Sequence, residues 1–109
     1  MIALLILAML SNLARADEAL RLYPGFITKV QCEGRLLVSA VGDDHLVRLE
    51  ALPSELGCGV LLKPARTAGR TNIVLETSTG TARRILAVIG SGQVPTASDL
   101  IVQVKGSER

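Results

Sequence analysis

The feature that most constrains this chain is a succession of short β-prone segments cut by turn residues, plainest in residues 57–77, GCGVLLKPARTAGRTNIVLET. Val60, Leu61 and Leu62 form an apolar run that Lys63 and Pro64 close, because proline supplies no ladder donor and displaces its neighbour from regular pairing. A polar connection follows, with Gly69 available for positive φ, and residues 71–77 read as a second strand rich in β-branched side chains. The spacing predicts that the two strands pair as a hairpin or within a Greek key.

The same punctuation recurs along the chain. Residues 26–32 alternate Phe26, Thr28, Val30 and Cys32 against Ile27, Lys29 and Gln31, which predicts a first strand with Cys32 facing the core. Glu33 and Gly34 turn the chain into a strand over 35–41. Gly42, Asp43 and Asp44 are turn formers, and 46–52 sets Val47, Leu49 and Ala51 inward against Arg48 and Glu50 outward. After the strands at 58–63 and 71–77, Ser78, Thr79 and Gly80 make a hairpin loop before a strand at 81–89. Positions 85–89 are all apolar, which implies cover on both faces. Residues 90–97 read as a flexible connection, and 98–109 as a last short strand at 100–104 with a polar tail. That strand either closes the sheet itself or is lent to a neighbouring subunit. About seven short strands, without helical periodicity longer than two turns, specify an all-β fold: a small β-sandwich or a partly open barrel.

Residues 1–16 read as a signal peptide rather than as structure. The apolar run 2–10 is too short to span a bilayer, and Ala14-Arg15-Ala16 offers a small-x-small cleavage site before Asp17. Residues 17–109 are then a single periplasmic domain, with 17–22 a frayed leader. Its core has to be built from Leu, Val, Ile and Ala, since 49% of the 109 residues are hydrophobic but only 2% aromatic. A domain of this size buries roughly 65% of its unfolded-chain surface, so an additional constraint helps. In an oxidising compartment Cys32 and Cys58 are each other's only partner within the chain, which favours a disulfide. Its loop of about 26 residues contributes on the order of 3–4 kcal/mol in the chain-entropy model.

The formal net charge of +2 is close to neutral, the basic residues are scattered, and Arg83-Arg84 is an isolated pair. Without aromatic stacking platforms this excludes nucleic acid as the main partner. Asp43, Asp44 and His45 are candidate metal ligands by residue type, but consecutive side chains diverge and the chain holds a single histidine, so no metal and no cofactor is expected. Cys58 between Gly57 and Gly59, with His45 as base, is the pattern of an exposed nucleophile. The same glycines fit a bulge that brings a disulfide close to a neighbouring backbone, and that is the reading adopted. Glu50, Glu55 and Glu76 occupy solvated strand or turn positions, and GxSxG, phosphate-loop and zinc spacings are absent, so catalysis is not expected.

Residues 36–88 carry a Gly42-Asp43 turn, an apolar run ending in Lys63-Pro64, then Thr71-Asn72, an apolar strand at 73–75 and Thr77. This order resembles the N-terminal β-domain of TrbG/CagX-type subunits of type IV secretion core complexes. Gly69-Arg70-Thr71-Asn72 is also similar to the N-terminal domain of pilus-type secretins. The resemblance covers about half of the chain, and neither the cysteine pair nor the short C-terminal region maps onto it. It implies a non-enzymatic structural or adaptor subunit of an envelope-spanning secretion, conjugation or pilus-assembly machine, in contact with other subunits and in a homo-oligomeric ring. Contact with the outer membrane would run through partners, and no small-molecule substrate is implied. Gly42, Asp43, Lys63, Pro64, Thr71 and Asn72 are then fold-defining, and Ile85, Val88, Ile89, Leu100 and Val102 are candidate interface residues. The alternative is a monomeric periplasmic protein-binding or inhibitor module.

Overall fold

The computed structural model describes residues 17–80, 82–90 and 94–104. The signal peptide expected at 1–16, and parts of the expected 90–97 connection and C-terminal tail, lie outside the described residues. Eight strands form: β1 (Asp17–Leu22), β2 (Thr28–Gln31), β3 (Leu36–Val41), β4 (Val47–Ala51), β5 (Gly59–Pro64), β6 (Gly69–Thr77), β7 (Ala82–Ile89) and β8 (Ile101–Gln103). They assemble into two four-stranded sheets, a long one ordered β1-β7-β6-β3 and a short one ordered β4-β5-β2-β8. The fold is a small β-sandwich, as the strand spacing predicts.

The core lies between the sheets because alternate side chains of each strand point inward. The long sheet supplies Leu22, Ile73, Leu75, Ile85, Ala87 and Ile89, and the short sheet supplies Val30, Val47, Val60, Leu62 and Val104. All are aliphatic, as the composition requires. The alternation is cleanest in β6, where Thr71, Ile73, Leu75 and Thr77 are buried and the residues between them are exposed or half-buried.

Four expectations are corrected. The frayed leader at 17–22 is β1, paired in parallel with β7 from Asp17↔Arg84 to Leu22↔Ile89. Its mixed composition is an alternation that puts Leu20 and Leu22 against the core, and Leu22 is fully buried. The strands in 57–77 are no hairpin: β5 and β6 belong to different sheets, and the connection between them crosses the sandwich. The expected disulfide is present, but it does not bridge the core. Cys32 and Cys58 lie just beyond neighbouring strands of the short sheet, with Cα atoms 5.0 Å apart, and the Cys32 amide donates to the Cys58 carbonyl at 3.0 Å. Phe26, expected on the inner face of the first strand, precedes β2 and is 40% exposed.

The last strand closes the sheet within its own chain, since β8 pairs in parallel with β2 from Lys29↔Ile101 to Gln31↔Gln103. Hairpins join β4 to β5 and β6 to β7, and every other connection passes from one sheet to the other.

Candidate functional site

Four of the six residues expected to define the fold meet at one corner of the sandwich. The chain leaves β3 at Gly42, whose amide donates to the Asn72 carbonyl at 2.8 Å, and the Asp43 amide donates to Thr71 Oγ1 at 2.9 Å. The Asp43 carboxylate accepts the His45 amide at 2.9 Å, closing an Asx turn, and the Asp43 carbonyl accepts the Leu46 amide at 3.1 Å. A side chain at position 42 would press on Asn72 Oδ1 and crowd Thr71 Oγ1, so glycine permits the close approach without displacing the Asn72 side chain. Leu46 then lies over Gly69, and its carbonyl accepts the Ala65 amide at 2.8 Å. The β3–β4 corner is thereby tied to both ends of the β5–β6 crossing.

Pro64 and Lys63 are set apart from this corner. Pro64 is buried opposite Val47, while Lys63 is exposed opposite Arg48. Four of the six residues therefore form a polar clamp that holds the crossing in place, Pro64 lies on the buried face of β5, and Lys63 belongs to a solvent-facing sheet surface.

Asp43, Asp44 and His45 offer ligand atoms within 4.8 Å of one another, all on exposed residues. His45 Nδ1 lies 3.6 Å from Asp43 Oδ1 and 3.4 Å from Asp44 Oδ1, and the Asx turn accounts for the approach of the Asp43 side chain. The nucleophile pattern at Cys58 requires a free thiol, whereas Cys58 Sγ is bonded to Cys32. At Gly59 the backbone of β2 lies close by, since a Cβ there would stand 2.8 Å from the Val30 carbonyl oxygen. Gly59 thus shows the close backbone approach expected of the flanking glycines, whereas Gly57 has open space around it and a positive φ, and the β2–β5 and β4–β5 registers carry no bulge.

The candidate interface residues separate by face. Ile85 and Ile89 are only 3% and 4% exposed, so they are core residues and not surface; the apolar run 85–89 buries one face fully and the other by half. Val88 is half-buried on the outer face of the long sheet. Leu100 is half-buried, and Val102 is half-buried on the inner side of β8, beside Val30. Other apolar side chains are more accessible, among them Leu56 (66% exposed), Leu37 (57%) and Ile101 (54%), and Leu37 lies next to Val38 (44%) on the edge strand β3. The register shifts between Leu36 and Val38, so three consecutive apolar residues do not alternate simply between core and solvent. The unbroken LLV was the available signal. Pairing sets Val38 and Ala40 on the outer face with Val74, and Leu86 lies diagonally beyond Val74.

In comparison with known proteins, no family model and no curated protein matches this chain.

Proposed function

We propose that this protein is a periplasmic structural or adaptor subunit of an envelope-spanning secretion, conjugation or pilus-assembly machine. It is exported by a cleaved signal peptide and works without catalysis, through β contacts with other subunits. The observation that carries the reading is the outer side of β3, an edge strand that turns Leu37 and Val38 to solvent beside Ala40 and half-buried Val74. Accessible apolar side chains on a sheet edge favour pairing with another chain. The Cys32–Cys58 disulfide supports an oxidising compartment, and the convergence of Gly42-Asp43 with Thr71-Asn72 supports a structural role for the residues that carry the family resemblance.

The test is a photo-crosslinking amino acid placed at Leu37, at Val38 and, as control, at Glu55 in the exposed turn Ser54–Leu56, in cells that express the protein. Discrete high-mass adducts from the two β3 positions, and none from Glu55, are expected. Adducts equally frequent at all three positions, or none, would favour the monomeric binding or inhibitor module.

A further inference from the structure

The outer face of the short sheet carries a second surface, of different chemistry. Arg48 on β4 and Lys63 on β5 are directly opposite each other, and both are exposed. Two like charges facing across neighbouring strands repel. One step along the sheet, Glu50 lies opposite Leu61 and Leu61 opposite Lys29. Neither Arg48, Lys63, Lys29 nor Glu50 forms an ion pair with another described residue. Between these groups lies an open depression of about 350 Å³, lined by Ile27, Arg48, Leu49, Glu50, Leu61 and Lys63. Ile27 is half exposed there.

The near-neutral composition conceals this arrangement. Glu33, Asp43, Asp44, Glu55 and Asp99 sit in turns and short connections, whereas three of the four charged strand residues on this face are cations.

We infer that this face binds an extended acidic segment of a partner protein. One carboxylate sits between Arg48 and Lys63, an apolar side chain enters the depression against Ile27 and Leu61, and a further carboxylate reaches Lys29. The occupant follows from the charges: an anion between Arg48 and Lys63 replaces a repulsion with two attractions. A nucleic acid would find no aromatic platform. The inference rests on the reading of the protein as a protein-binding subunit but uses the opposite face. Crosslinking at Leu37 and Val38 therefore stands or falls independently of it.

The probe is a labelled synthetic peptide, acetyl-Gly-Glu-Leu-Glu-Leu-Glu-Gly-amide, titrated into isotope-labelled, oxidised protein while amide chemical shifts are followed. Saturable shifts confined to β4, β5, β2 and the residue before it are expected, weakening as ionic strength rises. Arg48→Glu should reduce affinity roughly tenfold while leaving thermal stability equal or higher, because it removes the repulsion with Lys63. Lys63→Gln, which removes a charge without reversing it, should reduce affinity less and serves if the first variant folds poorly. Shifts elsewhere, no saturable binding, binding unchanged in either variant, or preference for phosphatidylglycerol vesicles or single-stranded DNA over the peptide would each overturn the inference.

Discussion

The long sheet is built from strands of six, eight, nine and six residues, and the short sheet from strands of five, six, four and three. Both bury aliphatic side chains against each other, yet they are held in different ways. The long sheet has the β6–β7 hairpin at its centre, paired from Gly69↔Ile89 to Glu76↔Ala82 across a short loop, so its central ladder is extensive and local in sequence, while β1 and β3 are added to it across longer separations. The short sheet is centred on β2, whose partners β5 and β8 come from far along the chain, and ordering such partners costs more loop-closure entropy. The disulfide lies at that junction, joining the end of β2 to the start of β5. The covalent tie falls in the sheet with the shorter strands, joining residues 26 positions apart.

Breaking the tie should produce the largest effect. Cys32→Ala with Cys58→Ala is expected to lower stability by about 3–4 kcal/mol, measured by denaturant unfolding. Amide exchange should accelerate in β2, β5 and β8 before β6 and β7; uniform acceleration would remove the distinction between the sheets. Gly59→Ala probes the same junction without touching the sulfurs. Its methyl group would press on the Val30 carbonyl, and a loss of about 1–3 kcal/mol is expected, again concentrated in the short sheet.

On the other side of the sandwich, Thr71→Val removes the acceptor of the Asp43 amide and should cost about 1–2 kcal/mol. Faster exchange at Asp43 with β2 and β5 unaffected would place the clamp's contribution at the β3–β4 corner. The smallest effect is expected from Glu18→Gln, which breaks the 2.8 Å pair with Arg83 at the outer end of the long sheet. Glu18 is nearly half exposed, so the change in unfolding free energy should stay below about 1 kcal/mol and fade with added salt. A larger loss would mean that β1 is held by this pair rather than by Leu22.

Much of the fold was legible in the sequence because strand periodicity and turn chemistry are local. The strands from β2 to β8 lie at or close to the expected segments, except that β5 runs on to pair Pro64 with Val47 and β6 starts at Gly69 rather than at 71, and the cysteine pair followed from having one partner each. Which sheet a strand joins is not local. Lys63-Pro64 and Gly69 mark the limits of β5 and β6, but whether the connection folds back or crosses depends on packing against β4 and β7. β1 was missed because its polar residues suggested a leader, while its cover, supplied by β7, lies more than sixty positions away. Ile85 and Ile89 were placed at an interface because an all-apolar run carries no mark of which face meets the core. The Gly42-Asp43 and Thr71-Asn72 motifs were visible separately; their convergence came only with the β5–β6 crossing. The surface pairing of Arg48 with Lys63 likewise needs the β4–β5 register.

The most direct test of the proposed role is to cross-link cells gently, purify the protein from its own envelope in mild detergent, and determine the mass and composition of the recovered particle. Recovery in a high-mass assembly with secretion-channel or secretin subunits is the predicted result. Recovery as a single small chain, with nothing attached, would contradict the structural-subunit account and leave a soluble binding module.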